Sequence, residues 1–222
     1  RSGLNALRRR VGLVFQNPDR QLFSANVYED VSFGPLNLGL DERQVRQLVV
    51  QALLAVGMAE HVDRPVQELS FGQKKRVCIA GVLAMQPRVL LLDDPMAGLD
   101  AEMQHELAVL LDGLIDQGVT VVLTSHDVDF AYRWADDIHL LAAGRCSASF
   151  PAADLPQHTE ALRVAAQPLP LVLRLHAALT ERGWIAGQTA PRSVEALLAT
   201  LPPARIGIGH PFSSILSEPR FL

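Results

Sequence analysis

Val89-Leu90-Leu91-Leu92-Asp93-Asp94-Pro95 sets four aliphatic residues directly against two carboxylates and a proline. A short continuous aliphatic run reads as a strand covered on both faces, and such strands belong to parallel sheets. Open α/β sheets place their ligands at the carboxyl ends of the strands, where Asp93 and Asp94 fall. Adjacent carboxylates repel one another unless a cation accompanies them. The pair therefore points to a hydrated Mg²⁺ with an oriented water beside it. The plainer alternative is an acidic turn that caps the next element.

The flanks alternate strand and helix. Val11–Phe15 is a short β-rich run ending at the turn-forming cluster Gln16-Asn17-Pro18-Asp19. Ser70 opens a helix that runs through Lys75 and Ile79 to about Met85, where Gln86-Pro87 breaks it. Beyond the aspartates, Met103, Leu107, Leu110, Leu111 and Leu114 form an amphipathic stripe closed by Gly118. Val119–Leu123 is the next strand, Ala131–Trp134 is helical, and Ile138–Leu141 is a further strand. This rhythm calls for an α/β fold with a parallel sheet and right-handed crossovers.

Between about Glu29 and Gln67 the pattern is helical without matching strands. Val45, Leu48, Val49, Ala52, Leu53 and Val56 repeat at helical spacing and Gly57 is a stop, so the segment reads as a helical insertion. After about Pro151 prolines appear at Pro168 and Pro170, followed by a helical Leu171–Leu179, which predicts a small C-terminal appendage. Pro202-Pro203 and the residues after them read as irregular.

Composition narrows the function classes. A chain of 222 residues with 49% hydrophobic content can bury a substantial core. A formal charge of -4 argues against a nucleic-acid binder held by bulk charge. No apolar run approaches the roughly 18–20 residues that span a bilayer, so any membrane contact is expected through a partner. No signal peptide is visible. Cys78 and Cys146 lack metal-ligand spacing and are expected to be reduced thiols.

Three further stretches carry chemistry. In Leu69-Ser70-Phe71-Gly72-Gln73-Lys74-Lys75-Arg76, Ser70 is a good N-cap and Gly72 permits close approach of an anion to the backbone. A helix N-terminus of this kind favours phosphate. The bland alternative is a capped helix whose Lys74, Lys75 and Arg76 form a solvated face. His126 follows Thr124-Ser125 at a strand end, and Gln16 also stands at a strand end. Each alone is more often structural, but together they present polar groups toward one edge.

These motifs resemble those of ATP-binding-cassette ATPases. Leu69–Gln73 is similar to the signature motif, Val89–Pro95 to the Walker B strand, and Ala97-Gly98-Leu99-Asp100 to the D-loop. His126 stands where the switch histidine would and Gln16 where the Q-loop glutamine would, with fitting order and spacing from Val11 to Gly144. Val14–Phe23, Val27–Gly34, the phenylalanine-bearing signature with Lys74-Lys75-Arg76, and His126–Asp129 resemble cobalt and nickel importers of the energy-coupling-factor type.

The resemblance implies a P-loop NTPase-like sheet with a helical subdomain at about residues 29–85. The partial ATPase domain would occupy residues 1–150, and an appendage with ATPase dimer contacts residues 151–222. It implies ATP and Mg²⁺ as cofactors, and a homo- or heterodimer of ATPase subunits on a transmembrane partner. The location would be peripheral, at the cytoplasmic face of the membrane. Ser70, Phe71, Gly72 and Gln73 would contact ATP held by the opposite subunit. Asp93 and Gln16 would serve Mg²⁺, Asp94 and His126 would be catalytic, and Asp100 would link the two sites.

Two departures stand out. No Gly-Lys pair of a phosphate-binding loop occurs, and only fifteen residues precede Gln16, so a truncated N-terminus is expected. Asp94 occupies the place of the usual catalytic glutamate, one methylene shorter. Alternatives are a soluble cassette ATPase not engaged in transport, and an impaired fragment acting only as an interaction partner.

Overall fold

The computed structural model describes residues 7, 9–186 and 189–202. Strands β1 (Val11–Val14), β2 (Val89–Leu92) and β3 (Thr120–Leu123) form a parallel sheet in that order. The register is level, with Val14, Leu92 and Leu123 as successive Cα partners. The ladder continues one residue further: the Asp93 N–H donates to Val14 O at 2.9 Å and the Thr124 N–H to Leu92 O at 3.0 Å.

Helices α1 (Val27–Asn37), α2 (Glu42–Ala55), α3 (Phe71–Leu83) and α4 (Ala101–Asp116) belong to the same part of the chain. Their ends follow from local chemistry. Asp41 and Gln44 form a capping box at the start of α2, and Gly57, at φ +68°, adopts the left-handed conformation just beyond its end. The helix from Ser70 stops at Leu83, just short of the expected Met85.

Helix α3 lies so close to β1 that a Cβ on Gly12 would stand 2.0 Å from Val82 Cγ1. On the packed face of the sheet Leu90 and Leu92 are 0% and 2% exposed. On the opposite face Leu13 and Val122 flank Leu91 in register, and each is 48% exposed.

The chain divides into two compact units, Arg1–His126 and Asp127–Leu222. The boundary expected from the sequence lies at about residue 150. The second unit contains α5 (Val128–Trp134), β4 (Asp137–Ala142), β5 (Arg145–Pro151), α6 (Thr159–Val164), α7 (Leu171–Glu181) and α8 (Val194–Ala199). The expected Ile138–Leu141 strand exists, but it pairs antiparallel with β5 rather than extending the parallel sheet. The reason is the turn: Ala143 and Gly144 both have positive φ, +48° and +75°, which folds the chain straight back.

Tyr132, Ile138, Leu140, Phe150, Leu155 and Leu162 form the heart of this unit's core. Arg192 fastens it, its Nε donating to Tyr132 O at 2.8 Å. Residues from Pro203 onward, expected to be irregular, lie outside the described residues.

Gly12→Ala should lower stability by about 1–3 kcal/mol through overpacking against Val82. Adding Val82→Ala should cost less than the two single changes summed, as measured by urea midpoints. Simple additivity would remove the steric explanation.

Candidate functional site

Level strands deliver polar residues to one edge. Gln16 stands two residues past β1, Asp93 and Asp94 follow β2 directly, and Thr124 follows β3. Gln16 Nε2 donates to Asp94 Oδ2 at 3.2 Å. The Thr124 hydroxyl donates to Asp93 Oδ1 at 2.8 Å and accepts from the Asp94 N–H at 2.8 Å. Residues from three strand ends thus share one hydrogen-bonded group. Asp94 has φ +42°, a left-handed conformation that aspartate tolerates better than most residues.

Thr124 was not among the sequence candidates. Its signal was a hydroxyl directly after an aliphatic strand, level with a carboxylate on the neighbouring one. His126 lies two residues past Thr124 on the same loop, exposed to solvent.

A second group forms at the start of α3. Ser70 Oγ accepts from the Gln73 N–H at 3.3 Å, and Gln73 Oε1 accepts from the Ser70 N–H at 3.0 Å. Gln73 Nε2 lies 3.4 Å from His61 Nε2, so its side chain is engaged locally. The amides of Phe71 and Gly72 sit in the first turn, where a helix offers no acceptor of its own. This helix start packs on the turn that follows Asp94. A Cβ on Gly72 would stand 2.6 Å from Met103 Sδ, and one on Gly98, at φ +75°, would stand 3.0 Å from the Phe71 ring. Asp100 caps α4, its Oδ1 accepting from the Met103 N–H at 2.9 Å.

The three cations after the helix start are not a solvated face. Lys75 is only 4% exposed, and its Nζ donates to Pro95 O at 2.5 Å and Ala97 O at 2.7 Å. Burial holds its ammonium below the ordinary lysine value, with the charge of Asp94 pulling the other way. Lys74 Nζ pairs with Asp19 Oδ1 at 2.7 Å, and Arg76 pairs with Glu106. Position 75 was legible as interior, because it shares one helix face with the buried Gly72 and Ile79.

The sheet edge offers two carboxylates, an amide and a hydroxyl, a hard-oxygen set. Among the described residues no group of three His, Cys, Asp or Glu gathers as a metal cage. Such an edge fits Mg²⁺ held through one or two carboxylates, with water and phosphate oxygens supplying the rest. The α3 start fits an anion.

A family model described as ABC transporter matches residues 2–97. The chain is 48% identical over 200 residues to a protein of Streptomyces coelicolor described as an ABC transporter ATP-binding protein, covering 90% of this chain and 70% of that one. It is 45% identical over 202 residues to the cobalt import ATP-binding protein CbiO of Rhodobacter capsulatus, covering 90% and 72%. Other curated relatives are longer, and the chain spans 49% and 44% of two of them. The solved structure of cbiO1 from Clostridium perfringens, described as part of the ABC transporter complex cbiONQ, matches with TM-score 0.66 at 41% identity. That match covers 82% of this chain and 71% of the other.

Cys78 lies buried in α3, and burial first, then the charges of Asp30 and Asp19, push its thiol up to about 12. Cys146 is exposed. At pH 8 a thiol reagent should therefore modify Cys146 in the native protein and spare Cys78 until denaturant is added. Equal labelling of both, read by peptide mass, would contradict this placement.

Proposed function

The chain belongs to the ABC transporter ATP-binding proteins, and we propose that it binds and hydrolyses ATP to power a membrane importer of cobalt or nickel ions. The observation that carries the reading is the Gln16–Asp94–Thr124–Asp93 group at the edge of three level parallel strands. The relative described as a cobalt import protein and the energy-coupling-factor-like motifs support the choice of metal ion.

Asp93 would hold the Mg²⁺ through water, its carboxylate oriented by the Thr124 hydroxyl. When bound, that cation would neutralise phosphate charge. Gln16 would respond to the same ion, and through its Asp94 contact it steers the second carboxylate. Asp94 would orient the attacking water. His126 would reach the terminal phosphate from the loop after β3. In a dimer of ATPase subunits, identical or different, Ser70, Phe71, Gly72 and Gln73 of one copy would complete the pocket of the other. The first-turn amides would meet the phosphate, and Asp100 would link the two sites. Phosphoryl transfer asks for positioning and charge neutralisation, which these groups supply.

The transmembrane partner would receive the motion through the helical insertion. Phe23 and Phe33 are 65% and 49% exposed and pack edge to face at 4.7 Å, seven and seventeen residues beyond Gln16. Asp30 braces that corner by accepting the N–H groups of Phe23 and Ser24, both at 2.9 Å. Among the described residues no helix is long and apolar enough to cross a membrane. The proposed location is peripheral, at the cytoplasmic face.

The test is Mg²⁺-dependent ATP hydrolysis by the assembled transporter. Asp93→Asn should lower kcat by about 100-fold or more. Unchanged hydrolysis would sink the assignment. Asp94→Glu should raise kcat, because it returns about 1 Å of carboxylate reach, a displacement worth up to about 100-fold. A flat response would show that the shorter side chain is already compensated.

A further inference from the structure

We propose that Lys75 is a positioning residue that clamps the turn after Asp94 to the start of α3, so that the anion-binding helix end and the carboxylate edge hold a fixed relation. The proposal rests on the ATPase reading and goes beyond it, because Lys75 itself would touch neither nucleotide nor magnesium.

The sequence holds only two lysines, adjacent, and they face different loops. Lys74 reaches Asp19 in the segment after Gln16. Lys75 turns inward, and its two acceptors are main-chain carbonyls, so it recognises the path of the turn rather than a side chain. The neighbouring carbonyls are already engaged. Asp94 O accepts from the Ala97 N–H, Met96 O from the Leu99 N–H, and Gln104 Nε2 donates to Met96 O and Leu99 O. Lys75 takes Pro95 O and Ala97 O, which alternate along the turn with the engaged carbonyls of Asp94, Met96 and Leu99, and its ammonium also lies 5.3 Å from the centroid of the Phe71 ring.

A cation is expensive to bury and an apolar side chain of similar length would fill the same space. What an apolar replacement lacks is the pair of donors that fixes the turn leading from Asp94 to the Asp100 cap. Because the acceptors lie on the turn and the donor on the first helical turn but one, displacement of either drags the other.

A cavity of about 300 Å³ is lined in part by Lys75, with Leu54, Gly72, Arg76 and Met103 among its other walls, and a guanidinium, like the ammonium, can donate to two carbonyls at once. That makes a conservative replacement informative. In the assembled transporter, Lys75→Met should lower kcat for ATP by about 10-fold or more, the scale of a sub-ångström misplacement. KM for ATP should change by less than about 3-fold, because no nucleotide contact is lost. Lys75→Arg, able to donate to both carbonyls, should recover most of kcat.

Wild-type kcat in Lys75→Met overturns the proposal. So does a loss of kcat and nucleotide affinity together that Lys75→Arg does not rescue, since that marks general damage. If Lys75→Met fails to assemble, Lys75→Leu takes its place, and equal rates for the Leu and Arg variants overturn the proposal. A wild-type assembly without ATP hydrolysis overturns the functional reading and this proposal with it, whereas an active wild type indifferent to position 75 overturns the clamp alone.

Discussion

Three parallel strands that end level are the constraint from which the candidate site follows. Because Val14, Leu92 and Leu123 are Cα partners, the residues just beyond them arrive at a common edge within hydrogen-bonding reach. A slip of one residue in any pair would turn alternate side chains to the other face and separate the Thr124 hydroxyl from Asp93. On the packed face of this sheet α3 approaches β1 closely, which Gly12 permits.

Helix α3 is therefore more than a layer of packing. Lys74 reaches the segment after β1, Lys75 the turn after β2, and Gln21 reaches back to Cys78 O at 3.2 Å. A hydrogen bond to a charged group is worth about 1.5–3 kcal/mol against its absence, but part of that offsets the cost of burying Lys75. The net gain is better viewed as geometry than as stability. Loops that carry function are mobile by default, and these are tied to one helix.

Much of this was legible in the sequence where local patterns decide structure. The aliphatic runs became β1, β2 and β3, and the spacing from Val45 to Val56 marked α2 together with its glycine stop. Ser70 caps α3 as its residue type suggested. What escaped was non-local. Strand β5 has few β-branched or aromatic residues, so Arg145–Pro151 gave no strand signal until β4 supplied a partner. Thr124 acquires meaning only when its strand stands beside another that ends in carboxylates. For Lys75 the solvated face is the bland alternative that lysine's usual exposure suggests, while its helical position beside Gly72 and Ile79 points inward. The Gln73 side chain closes a capping box with Ser70, a pairing that their spacing of three residues allows.

The strip of Leu13, Leu91 and Val122 has a practical side. Aliphatic side chains aligned across three strands make an apolar surface, and water surrenders such surfaces readily to any apolar stripe of matching width. Colloidal behaviour would then be the weak point of this unit in isolation. Two copies meeting strip to strip would mimic the packing of one sheet on another, so clarity of the solution, rather than loss of secondary structure, would be the first property to fail on concentration.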